Sequence, residues 1–77
     1  MEFSIADVLV HIDESLSKEA LVKLGEAVRT DECVISAGVP SGNMHLMLVA
    51  YNPECTSGKN ILLKVKDTGV HAELVGL

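Results

Sequence analysis

Met44-His45-Leu46-Met47-Leu48-Val49-Ala50-Tyr51 is apolar at almost every position, which for a run of this length suits a strand buried on both faces. Such a strand belongs at the centre of a sheet. Before it, Gly38-Val39-Pro40-Ser41-Gly42-Asn43 is dense in turn residues, and Cys33-Val34-Ile35-Ser36-Ala37 ahead of that turn reads as the partner strand of a hairpin. After it, Asn52-Pro53-Glu54 breaks the run and Thr56 or Ser57 can cap a helix. Ile61, Leu62 and Val65 then mark a short amphipathic helix that stops at Thr68-Gly69, and Val70 to Leu77 closes as a strand.

Upstream, Ser4 to Asp13 alternates Ala6, Val8, Val10 and Ile12 against Ile5, Asp7, Leu9 and His11, the period of a strand. Asp13-Glu14-Ser15-Leu16-Ser17 supplies acids and hydroxyls suited to a helix start, with Asp13 and Glu14 expected to favour the helix dipole. Leu16, Ala20, Leu21, Leu24 and Val28 follow at helical spacing, so a helix runs from about Ser17 to Arg29 before Thr30-Asp31-Glu32 ends it.

The order is strand, helix, strand, strand, helix, strand in a single domain, residues 1–77. Two right-handed crossovers in one sheet place the strands in the order four, one, three, two with both helices on one face. The fold class is therefore α+β: a ferredoxin-like βαββαβ sandwich with a four-stranded antiparallel sheet, one face of which is open. The exit of strand one, the hairpin turn and the Gly69 turn share one end, the top. Cys33, Pro53 and Cys55 share the bottom.

At 77 residues the chain builds one core, and with 48% apolar but 3% aromatic residues that core must come from aliphatic side chains and Met. Six basic against eleven acidic residues exclude a nucleic-acid-binding surface. The N-terminal Met1-Glu2-Phe3-Ser4-Ile5-Ala6-Asp7 carries acids where a signal peptide carries Lys or Arg, and no apolar run reaches bilayer length. A cytoplasmic protein without membrane insertion is expected, with Cys33 and Cys55 as free thiols of the small, buried, apolar kind.

Tyr51-Asn52-Pro53-Glu54-Cys55-Thr56-Ser57, Ile61 to Lys66, and Asp67-Thr68-Gly69-Val70-His71-Ala72-Glu73-Leu74 resemble the third strand, second helix and last strand of heavy-metal-associated, metallochaperone-like domains. Leu24-Gly25-Glu26-Ala27-Val28 is similar to the first helix of that family. The resemblance implies a soft-metal site made by a Cys-x-x-Cys pair between strand one and helix one. Counting back from Leu24, the two motif positions fall on Ser17 and Ala20, so the thiol site is missing and its metal-transfer chemistry with it.

His11, His45 and His71 all fall near the top on adjacent strands. Alternation puts His11 and His71 on the open face, and Asp13 can add an oxygen, so a transition-metal site for zinc, copper or nickel is one reading. The parity of His45 is open. In the family-like register the open face carries Ile5, Leu9, Met44, Leu46, Leu48 and Ala50, an apolar patch suited to a homodimer or a protein partner; in the reverse register it carries His45, Met47, Val49 and Tyr51. Met44 and Met47, three apart in a strand, belong to opposite faces and fill space rather than bind copper(I) with Met1.

No nucleophile motif or phosphate loop is present, and the one arginine, Arg29, lies late in helix one. The chain is not expected to be an enzyme. The leading expectation is a non-catalytic binding module working by self-association or partner docking through the open sheet face. The alternative is a metal-homeostasis protein using histidines in place of cysteines.

Overall fold

The computed structural model describes residues 4–40 and 42–75. Six elements follow in the expected order: β1 (Ala6–Ile12), α1 (Lys18–Arg29), β2 (Val34–Gly38), β3 (Leu46–Tyr51), α2 (Gly58–Lys66) and β4 (Ala72–Val75). They form one antiparallel sheet in the order β2-β3-β1-β4, so β3 is central as its sequence requires. Gly76 and Leu77 of the expected last strand, together with Met1 and Ser41, lie outside the described residues.

The strand alternation decides the core. Val8, Val10 and Ile12 of β1 and Met47 and Val49 of β3 are buried against Leu21, Leu24 and Val28 of α1 and Ile61 and Val65 of α2. Cα pairing of Val8 with Val49 and of Val10 with Met47 puts like faces together, which is the family-like register. Tyr51 packs against this core from its edge.

Local chemistry sets the helix ends. Ser17 caps α1 by accepting from the Ala20 backbone N–H at 3.1 Å, and Ser57, not Thr56, caps α2 by accepting from Asn60 N–H at 3.2 Å. The expectation that Asp13 and Glu14 serve the start of α1 is corrected. Ser15, Leu16 and Ser17 stand between them and the first turn, beyond the reach of the dipole, and both acids are engaged elsewhere. After α2 the chain turns at Gly69 with φ +94°, a left-handed conformation costly for any residue with a Cβ.

The expectation of two free thiols is also corrected: Cys33 and Cys55 form a disulfide, with their Cα atoms 5.4 Å apart. The cause is the β2–β3 hairpin. Val34 pairs with Tyr51, which sets Cys33 opposite Asn52, and the Asn52 N–H donates to the Cys33 carbonyl at 2.9 Å. The Asn52 turn, closed by Cys55 N–H to the Asn52 carbonyl at 3.0 Å, then brings Cys55 back to Cys33. Neither residue is the buried apolar filler expected, since Cys33 is half-buried and Cys55 exposed.

Candidate metal centre

At the top of the open face β1 presents His11, whose Cα partners are Leu46 on β3 and Glu73 on β4. Just past the strand, Asp13 folds back so that its Oδ1 accepts from His11 Nδ1 at 2.9 Å. His11, Asp13 and Glu73 each offer one ligand atom, and these atoms lie within 4.8 Å of one another. Two carboxylates and an imidazole make a net-negative, mixed oxygen and nitrogen donor set, which suits a borderline divalent ion such as zinc. The side chains of His11 and Asp13 are 37% and 52% exposed, so an ion can enter from solvent.

His45 precedes β3 rather than lying in it, so strand parity does not govern its ring. Its backbone N–H donates to Asn43 Oδ1 at 2.9 Å in a local turn that competes with strand geometry. The ring stacks on His11 with centroids 5.9 Å apart and planes 15° apart. Its Nδ1 donates to the Ile12 carbonyl at 2.8 Å, which places a proton on that nitrogen and fixes the ring's orientation.

His71 lies at the top but its ring is drawn elsewhere. The β1–β4 register sets Glu73, not His71, beside His11, and places His71 next to Asp13, whose N–H donates to the His71 carbonyl at 2.9 Å. The His71 N–H donates to Glu14 Oε1 at 2.7 Å, and the ring, 80% exposed, has its Nδ1 3.6 Å from Glu14 Oε2. Glu73 is the residue that sequence reasoning missed. Its signal was the face it shares with His71, two residues along the same strand.

Ser17 and Ala20, onto which the resemblance maps the family's thiol pair, are the two ends of the α1 cap hydrogen bond. Ile5, Leu9, Leu46 and Leu48 lie on the side of the sheet away from the helices, with Ile5 61% and Leu48 46% exposed. Met44 departs from that set. Lying ahead of β3, it is free of the strand alternation and lines, with Met47, a cleft of about 510 Å³ between α1 and the end of the hairpin. Arg29 lines the same cleft, and its Nη1 donates to the Ala37 carbonyl at 2.6 Å, tying α1 to β2.

No protein-family model matches the chain, and no curated protein matches it. Solved structures do. Oxidized MerP from Ralstonia metallidurans CH34 is 14% identical, with a TM-score of 0.82 over 95% of this chain and 100% of that one. The N-terminal domain of a potential copper-translocating P-type ATPase from Bacillus subtilis, in its Cu(I)-loaded state, is 19% identical, with a TM-score of 0.81 over 95% and 90%. A copper-binding domain from HMA7, a P-type ATPase, is 17% identical, with a TM-score of 0.80 over 91% and 93%. At such identities the likeness is one of backbone architecture, and the chain is a heavy-metal-associated-like domain in its fold.

Proposed function

We propose that this chain is a small non-catalytic metal-binding domain that holds one divalent ion, zinc in the first instance, at the top of its open sheet face through His11, Asp13 and Glu73. The observation that carries this reading is the convergence of three ligand atoms within 4.8 Å, two from the end of β1 and its exit and one from β4, far away in the chain. His45, stacked on His11 and held by its hydrogen bond to the Ile12 carbonyl, supports the site by holding the imidazole in place. Titration with zinc under native mass spectrometry is the direct test. One zinc per chain is expected, lost in His11→Ala and Glu73→Ala and kept in His71→Ala. Zinc uptake indifferent to His11 and Glu73 would falsify the reading.

A second reading is favoured by the uncovered apolar side chains of Ile5, Leu9, Leu46 and Leu48, which suit a second copy of the chain or another protein. Sedimentation tests it: Leu48→Asp should convert a dimer to a monomer without loss of fold, and a wild-type monomer at high concentration removes the homodimer. A cytoplasmic location fits either reading only if the Cys33–Cys55 bond is reducible, because cytosolic thiols are kept reduced. Among the described residues no helix is long and apolar enough to cross a membrane.

A further inference from the structure

The hairpin end that joins Cys33 to Cys55 is a second pole of metal-ligating chemistry, remote from His11 in the fold. We propose that the reduced Cys33–Cys55 pair is a two-thiolate site for a soft monovalent ion, copper(I), and that the disulfide is its closed form. Three observations support this. The turns that carry the two sulfurs are each set by their own hydrogen bonds: Cys33 N–H donates to Asp31 Oδ1 at 2.9 Å, and Asn52 accepts from Cys55 N–H through its carbonyl and from Glu54 N–H through its side chain. The backbone therefore keeps the Cα atoms about where they are, 5.4 Å apart, when the sulfur–sulfur bond opens. Cys55 is exposed and Cys33 half-buried, so both a reductant and an ion have access.

The chemistry closes with one external reductant. A small dithiol gives two electrons and two protons to the Cys33–Cys55 bond and closes to its own disulfide, leaving two thiols. Each thiol then releases its proton to solvent as the thiolate sulfur binds copper(I), an ion that soft sulfur donors select over the oxygen and imidazole donors at the top. Two thiolates suffice for copper(I), whereas zinc takes four ligands: the three protein donors at the top leave one position for water, and two thiolates would leave two. The disulfide, with no thiolate to give, does not bind.

The test is an anaerobic titration of the full chain with copper(I) buffered by a chromophoric chelator, in the disulfide form and after reduction with a water-soluble phosphine, which takes up oxygen from water as it is oxidised. The reduced chain should take one copper(I) and the disulfide form none, the latter serving as a folded control. Cys33→Ser and Cys55→Ser should each weaken binding at least a hundredfold. His11→Ala should leave it unchanged, which separates this site from the zinc site. Copper(I) should also protect both cysteines from alkylation. Equal uptake by the reduced and disulfide forms, or uptake retained in either serine variant, overturns the proposal.

Discussion

The two ends of the sheet differ in how they bring their donors together. At the top, Ser17 and Ala20 occupy the spacing of three at which the resembled family carries two thiols, and here that spacing serves a helix cap, hydroxyl to backbone N–H. At the bottom, two cysteines 22 residues apart in sequence are joined through the hairpin. A spacing of three at a helix start is a backbone geometry before it is a metal motif. It holds a soft ion only when both side chains are thiols, and with serine in the first position it satisfies an orphan N–H instead. Donors at the top are oxygen and imidazole; those at the bottom are sulfur.

The bottom end should show the largest effect, on stability. The disulfide closes a ring containing both β2 and β3, and loop-closure entropy for a ring of that length is worth about 3 kcal/mol. Reduction should lower the melting temperature by roughly 10–20 °C on the scale of a chain this size, read by circular dichroism with and without reductant. A fall of only a degree or two would mean that the hairpin and its packing against α1 hold the bottom without help.

Changes at the top should act on metal rather than on fold. His11→Ala is expected to weaken zinc roughly a hundredfold by calorimetry, an effect of about 2.7 kcal/mol on binding, while its melting temperature moves by a few degrees at most. Ser17→Ala should cost about 1 kcal/mol of stability by chemical denaturation, through the lost cap, with zinc affinity unaltered. If it changed zinc affinity instead, the family's motif position would still be part of a site.

The smallest effect belongs to His71→Ala. With its ring 80% exposed and engaged by Glu14 rather than by His11, the substitution should change zinc affinity less than twofold and stability by no more than about 0.5 kcal/mol. A large loss of zinc would move the site one residue pair along β4 and displace Glu73 from it.

Several of these features were legible in the residues. The run Met44–Tyr51, apolar at almost every position, announced a central strand, the alternation of Val8, Val10 and Ile12 announced a one-sided core, and the Ser57 cap was one of two named candidates. Less could be read where the chain leaves regular structure. Met44 and His45 fall just ahead of β3, where alternation lapses, so Met44 joined the α1 cleft and His45 turned onto His11. Asp13 was found and Glu73 was not, because a strand's cross-neighbour depends on register, and a shift of two residues keeps the same face while exchanging His71 for Glu73.

Sequence alone determined the element order, the face that β1 buries and the central place of β3, since these follow from local periodicity and residue type, while the face of β3 stayed open between two registers. Tertiary structure decided which partners meet: Glu73 with His11 and Asp13, Glu14 with His71, Cys33 with Cys55. Each of those pairings depends on strand register and turn geometry, which set distances between residues far apart in the chain and leave no trace in the periodicity of any one segment.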